Sequence, residues 1–295
     1  MRDPVAVILN ASAGAGRQRS ELDALLEMNG IHAAVEIASS GKELQRMAQS
    51  AVDRRAGTIV AGGGDGTIGT IASVIAGKDV DLGILPMGTL NHFAKDLGVP
   101  LTLDRAVRNL VHGSIRTVDV AQVNDSIFVN NSGLGLYPQI VREREKRQKG
   151  GERKWAAFLR AILSTFRRFP FMNVRLEIDG RTLLRRTPFV FVGNNMYRLE
   201  GFAIGSRPSM DRGEICICVA HRVGRWGLVR LAWHALIGRL REHHEFDVFC
   251  VKEATVSTRK LRMPVSLDGE VTILRTPLHY RTSPAALRVI VPATL

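Results

Sequence analysis

Thr58-Ile59-Val60-Ala61-Gly62-Gly63-Gly64-Asp65-Gly66-Thr67-Ile68 decides how this chain is read. A β-branched run leads into four glycines and a carboxylate within six positions, and Ile68, Ile71, Val74 and Ile75 then follow at helical spacing. The pattern predicts a strand, a glycine turn and a helix start. Glycines without Cβ atoms let the backbone come close to an anion, and a helix start offers unpaired N–H groups and partial positive charge. The six positions therefore read as a phosphate cradle rather than as a turn that needed only flexibility. A carboxylate at Asp65 makes sense there if it supports a metal carried by the phosphates.

Outward from this stretch, residues 1–122 alternate short apolar runs with helical patterns. Val5 to Leu9, Ala33 to Ile37, Thr58 to Ala61 and Leu82 to Leu85 read as strands. Glu21 to Met28, Lys42 to Val52, Thr67 to Ala76 and Leu103 to Val111 read as helices. Such alternation predicts a parallel sheet covered on both faces, with ligands bound beyond the carboxyl ends of its strands. Three loops fall at those ends: Asn10 to Gly16, Gly62 to Thr67 and Pro86 to Asn91.

Beyond about Val123 the pattern becomes strand after strand, with Ser126 to Asn131, Asn173 to Ile178, Pro188 to Gly193, Glu214 to Ala220, Phe246 to Ser257, Met263 to Leu267 and Leu287 to Val291 as candidates. Asp179-Gly180 and Asp268-Gly269 suit tight hairpin turns that need positive φ. The expected architecture is an N-terminal Rossmann-like, three-layer α/β domain over residues 1–122 and a C-terminal antiparallel β-sandwich domain over 123–295. The last residues are expected to return to the first domain.

Charge is divided along the same line. Residues 1–122 carry 12 Lys and Arg against 13 Asp and Glu, while the remainder carries 29 against 15, a net of +14. That asymmetry suggests an anionic surface as partner, either nucleic acid or a membrane with acidic lipids. Two segments join basic residues to an apolar stripe: Trp155, Phe158, Leu159, Ile162, Leu163 and Phe166, and then Trp226, Val229, Trp233, Ile237 and Leu240. Each stripe is one helix face, suited either to the protein's own core or to a membrane interface, and the presence of two favours the interface. No apolar run approaches the roughly 18 residues of a membrane span, and Met1-Arg2-Asp3-Pro4 makes a poor secretory signal. The expected location is the cytoplasm, peripheral on the inner face of the membrane. Cys216, Cys218 and Cys250 show neither a disulfide framework nor zinc spacing and are expected as buried free thiols.

Two common nucleotide patterns are set aside. Gly64-Asp65-Gly66-Thr67-Ile68-Gly69 satisfies G-x-G-x-x-G, but the next strand ends in Pro86-Met87-Gly88 where a dinucleotide site needs an acid for the ribose. A G-x-x-x-x-G-K-[ST] loop occurs nowhere in the chain.

Gly63-Gly64-Asp65-Gly66-Thr67, Pro86-Met87-Gly88-Thr89-Leu90-Asn91-His92-Phe93-Ala94 and Leu267-Asp268-Gly269-Glu270, in that order, resemble the diacylglycerol kinase catalytic-domain family, above all its soluble bacterial lipid kinases, which are related to sphingosine and ceramide kinases. The resemblance extends to Asn10-Ala11-Ser12-Ala13-Gly14, to Phe128-Val129-Asn130-Asn131-Ser132-Gly133 and to Pro284-Ala285-Ala286-Leu287. It implies ATP and Mg2+ as cofactors, a lipid hydroxyl as phosphoryl acceptor, and a site in the cleft between the domains. By motif match, Gly62, Gly63, Gly64, Asp65, Gly66, Thr67, Thr89 and Asn91 bind nucleotide, Asn10 shapes the first loop, Ser39 touches the nucleotide, and Glu270 is the general base with Asp65 supporting the metal. Asp211, in Met210-Asp211-Arg212-Gly213-Glu214, matches a loop that holds a structural magnesium in relatives, although Arg212 replaces its second acid. His92 likewise stands where many relatives carry an acid. Diacylglycerol, a sphingoid base, ceramide or a phosphatidylglycerol-like lipid would each supply the hydroxyl, at an anionic membrane surface. A second reading is a soluble NAD kinase-like enzyme, which shares the Gly-Gly-Asp-Gly-Thr loop. A third, a nucleotide-regulated nucleic-acid binder using the basic half, finds no stacking or groove-reading motif, so no nucleic acid partner is expected.

Overall fold

The structure, a computed structural model, describes residues 1–13, 15–135, 171–197, 199–200, 203–204, 206–220 and 246–293. Both basic apolar stripes, at 155–166 and 226–240, lie outside the described residues. The first half runs β1 (Val5–Asn10), α1 (Ala15–Met28), β2 (Ala34–Ala38), α2 (Gly41–Asp53), β3 (Thr58–Gly63), α3 (Asp65–Ile75), β4 (Asp81–Pro86), α4 (His92–Asp96) and α5 (Leu103–His112). There follow β5 (Ser114–Val123), β6 (Ser126–Phe128), β7 (Asn131–Gly135), β8 (Met172–Ile178), β9 (Arg181–Thr187), β10 (Phe189–Asn194), β11 (Leu199–Glu200), β12 (Ala203–Ile204) and β13 (Ile215–Ala220). The described strands end with β14 (Phe246–Val251), β15 (Glu253–Thr258), β16 (Arg262–Leu267), β17 (Glu270–Arg275) and β18 (Leu278–Val291).

Parallel strands in the order β2-β1-β3-β4 carry helices on both faces, because successive side chains point to opposite sides. Ile8, Ile59, Leu82 and Ile84 meet Leu44 and Ala48 of α2 and Ile68 and Ile71 of α3. Val7, Leu9, Val60 and Leu85 meet Leu22 and Leu26 of α1 and Ala106 and Leu110 of α5. Both cores exclude water, and each fully buried aliphatic side chain contributes about 1.5–3 kcal/mol.

The sheet does not stop at β4. Strand β18 returns from the carboxyl end of the chain and pairs parallel to β4, with Arg288 opposite Asp81 and Val289 opposite Leu82. Its earlier residues pair with β15, which pairs with β8 and then β9, so one sheet crosses both halves. The junction is also ionic: buried Asp81 accepts from Arg288 Nε at 2.7 Å and from Arg2 Nε at 2.9 Å. A second sheet, ordered β14-β13-β10-β7-β16-β17, faces the far part of the first. Val190, Val192, Ile215, Ile217 and Val265 of one sheet meet Val174, Leu176, Val256 and Tyr280 of the other in a sandwich core.

Several elements differ from the sequence pattern. The apolar run from Phe246 to Ser257 is two strands rather than one, since the chain leaves the second sheet after Val251 and joins the first at Glu253. The expected strand from Ser126 to Asn131 is broken at Val129-Asn130, between β6 and β7. The cysteine expectation is corrected: antiparallel pairing of β13 with β14 sets Cys216 directly opposite Cys250, at a Cα separation of 4.1 Å, and the two form a disulfide. Spacing along one strand could not reveal a partner on the next. Cys218 alone is a free thiol, and burial pushes it up to about 12.

Candidate active site

Parallel registration brings the first three loops to one edge. Asn10 is level with Ala38, Leu9 with Gly62, and Gly63 with Pro86, so the segments after β1, β2, β3 and β4 all leave from the same end of the sheet. Asn10 is tied to the helix start by its amide Nδ2, which donates to Thr67 Oγ1 at 2.9 Å, while its Oδ1 accepts from the Ser12 N–H and hydroxyl. Ser39 is engaged locally: its hydroxyl and its N–H both donate to Glu43 Oε2, and Ser40 Oγ accepts from the Glu43 N–H. That reciprocal arrangement caps α2. The two bonds from Ser39 hold the Glu43 carboxyl below its usual range.

The glycines are there for close approach, and most of that approach is by the protein itself. A Cβ at Gly62 would lie 2.2 Å from Leu9 Cδ2, and one at Gly63 would lie 2.4 Å from Thr67 Oγ1. A Cβ at Gly88 would lie 2.4 Å from Gly64 Cα, so the turns after β3 and β4 touch backbone to backbone. Gly66 and Gly69 occupy one face of the first turns of α3, where added Cβ atoms would meet Glu270 Oε1 at 3.1 Å and Asp268 Oδ2 at 2.9 Å. The G-x-G-x-x-G spacing therefore seats another turn of this chain.

Asp65 opens α3, and its carboxylate reaches across to the next loop. Oδ2 accepts from the His92 N–H at 3.1 Å and Oδ1 from the Phe93 N–H at 2.9 Å. Those are first-turn donors of α4, which otherwise have no acceptor within the helix. Asn130 Nδ2 stands 3.5 Å from Oδ1 on the other side. Each carboxylate oxygen keeps lone-pair capacity beyond these bonds. A half-exposed hard oxygen donor of this kind fits Mg2+. Asn91, left-handed at φ 50°, braces the same loop by accepting from the Gly88 N–H and donating to the Gly88 carbonyl. Thr89 is exposed on that loop.

Glu270 comes from the other half of the molecule. It starts β17 directly after the Asp268-Gly269 turn, whose φ values of 48° and 91° are those a tight Asp-Gly hairpin needs. Asp179-Gly180 makes the same turn between β8 and β9, at φ 48° and 72°, as a plain hairpin. Asp268 differs from Asp179 in where its side chain goes. Its carboxylate accepts from the N–H groups of Val129, Asn130 and Asn131 at 2.8, 2.7 and 3.0 Å, in the break between β6 and β7. Burial pushes this carboxyl up to about 6, against those three donors and nearby Arg207, which favour the charged form.

Two further charged side chains, Arg207 and Asp119, define this neighbourhood, and Arg207 stands in the sequence as one charge among many. Arg207 is wholly buried: Nε donates to Asp96 Oδ2 at 2.7 Å, Nη1 to the Val129 carbonyl and Nη2 to Asn130 Oδ1. Its guanidinium lies over the rings of Tyr197 and Phe93, at 5.2 and 5.8 Å from their centroids. Asp119, 1% exposed, accepts from the N–H groups of Gly213 and Ala285 and from Asn195 Nδ2, so its acceptor capacity serves the fold. Asp211 bonds Arg116 Nη2 at 2.8 Å and the Ser209 hydroxyl, contacts that hold its carboxyl below the usual range. Asp211 is thus engaged by protein groups, in the loop whose Gly213 N–H bonds Asp119.

Comparison with known proteins matches two stretches of the chain. The profile of the diacylglycerol kinase catalytic domain matches residues 4–123, and that of the YegS C-terminal NAD kinase beta sandwich-like domain matches residues 140–291. An uncharacterized protein of Synechocystis, sll0036, is 25% identical over 97% of this chain and 70% of its own length. A protein of Escherichia fergusonii named probable lipid kinase YegS is 33% identical over 48% of this chain, an alignment that spans about half of that relative. Two crystal structures from Bacillus anthracis str. Sterne, one described as a putative diacylglycerol kinase and one as a diacylglycerol kinase, superpose with TM-scores of 0.77 and 0.71, at 23% and 22% identity, over 97% of this chain and 96% of theirs.

Proposed function

Because the chain belongs to the diacylglycerol kinase catalytic-domain family and carries a YegS-type C-terminal half, we propose that it is an ATP-dependent lipid kinase. It transfers the γ-phosphoryl group to a lipid hydroxyl. One observation carries this reading: the Glu270 carboxyl lies against Gly66 in the first turn of α3. An anion-binding helix start from one half and a proton acceptor from the other thus meet at one point. Phosphoryl transfer needs charge neutralisation, alignment and a group to take the proton of the attacking alcohol.

Each side chain then has a task. N–H groups in the glycine turn and the first turn of α3 hold the nucleotide phosphates. Asn10 and Asn91 keep the flanking loops in place through their bonds to Thr67 and Gly88. Asp65 and the phosphates would hold Mg2+, which supplies charge neutralisation when bound. Glu270 takes the proton from the lipid hydroxyl and aligns its oxygen for in-line attack. The net +14 beyond residue 122 favours approach to an anionic membrane surface. No described helix is long and apolar enough to cross a membrane.

The test is transfer of labelled γ-phosphate from ATP with Mg2+ into a panel of lipids, including diacylglycerol, a sphingoid base, ceramide and phosphatidylglycerol, presented in anionic vesicles. Label in at least one lipid and none in NAD is expected. A soluble NAD kinase-like activity is the second reading, favoured by the NAD kinase-like character of the sandwich profile. Label in NAD and in no lipid would establish it instead.

A further inference from the structure

Of the two Asp-Gly turns in this chain, only one sends its carboxylate inward. Asp268 spans three elements at once: its own hairpin between β16 and β17, the main chain of residues 129–131 between β6 and β7, and the face of α3 at Gly69. Three N–H donors converge on its two oxygens. Asn130, one of the residues so held, reaches Asp65 through Nδ2 and Arg207 through Oδ1. Two residues after Asp268 comes Glu270, against Gly66 one helical turn before Gly69.

We propose that Asp268 is a positioning residue, whose carboxylate locks the hairpin turn to the 129–131 main chain and to α3 and thereby holds Glu270 at the start of that helix. This rests on the reading of Glu270 as the proton acceptor. A plain hairpin needs Asp at this position only for its φ of 48°, which Asn tolerates as well. Asn cannot serve the second task. It offers one acceptor oxygen in place of two, and its amide nitrogen would set a donor against a main-chain donor. Gly69 tests the same contact from the helix side, since a methyl group there would lie 2.9 Å from Asp268 Oδ2 and would push the turn away.

The experiment measures kcat and KM for the accepting lipid, together with ATP affinity in a binding assay without lipid, for the wild type, Asp268→Asn and Gly69→Ala. Displacing a reacting group by about 1 Å costs on the order of 100-fold in rate, so kcat should fall by roughly 10- to 100-fold in both variants. ATP affinity should stay within about twofold, because a general base makes its contribution in the transition state. Asp268→Asn with wild-type kcat, or a fall in kcat matched by an equal fall in ATP affinity, would overturn the proposal. Should Asp268→Asn fail to fold, Gly69→Ala decides by the same criterion. A wild type that labels no lipid defeats the lipid kinase reading and not this one. A crystal structure of the variant then decides: Glu270 displaced from Gly66 supports the lock, and Glu270 unmoved removes it.

Discussion

Arg207 Nε stands 2.7 Å from Asp96 Oδ2, with the two side chains only 0% and 6% exposed, and this pair fastens the last turn of α4 to the β half of the molecule. The pair earns its burial through additional bonds: the guanidinium also reaches the Val129 carbonyl and Asn130 Oδ1. A buried ion pair contributes little on balance, yet removing one partner leaves an uncompensated charge out of water. Asp96→Ala should therefore cost about 3–5 kcal/mol of stability. Urea unfolding measures it, and a loss below about 1 kcal/mol would show that Arg207 finds another anion or water.

Asp65 is structural before any metal arrives. Its two bonds to the His92 and Phe93 N–H groups do the work of an N-cap, supplied from another helix. Asp65→Ala should lose about 1 kcal/mol, the usual worth of a cap, in the complete absence of magnesium and nucleotide. Chemical unfolding with EDTA present checks this. Unchanged stability would assign Asp65 to ligand binding alone.

The pH response of Asp268 has a definite sign. Burial pushes its folded-state value up to about 6, above the roughly 3.9 of an unfolded aspartate. The folded state therefore takes up a proton between those values, and this carboxyl's contribution to stability declines as pH rises from about 4 through 6 and is level above. Arg207 faces it, as do the Tyr197 hydroxyl and the N–H groups of Val129, Asn130 and Asn131, with Glu270 two residues along and Asp65 beyond Asn130. Amide resonances of residues 129–131 should titrate with a midpoint near 6. A midpoint below 4 would mean that the three donors outweigh burial.

Cysteine chemistry gives a simple check on the registration of β13 against β14. Alkylation of the denatured, unreduced protein should label Cys218 and leave Cys216 and Cys250 joined. Three labelled cysteines would contradict that pairing.

Sequence pattern revealed the parts that local rules govern. The glycine turn, the four parallel strands with their helices and both Asp-Gly hairpins follow from periodicity and from backbone preferences at single residues. Much of the rest is long-range and left no local mark. Nothing near Leu278 announces a 14-residue strand, because β18 is held by β5, β15 and β4 rather than by its own alternation. Helix α4 has five residues, too few for a periodic signal, and is capped by a carboxylate 27 positions earlier. The inward turn of Asp268 depends on three N–H groups about 138 positions away, so the sequence could distinguish it from Asp179 only through resemblance. Arg207 sits in a loop where one arginine among many has no pattern to stand out from.

Glu270 carries the central claim, and one variant tests it most directly. Glu270→Gln keeps the shape of the side chain beside Gly66 and removes its ability to take a proton. Turnover, measured as labelled phosphate reaching lipid, should fall by at least about 100-fold, the usual worth of general base catalysis, with ATP affinity held within about twofold. Wild-type turnover in that variant would contradict the account.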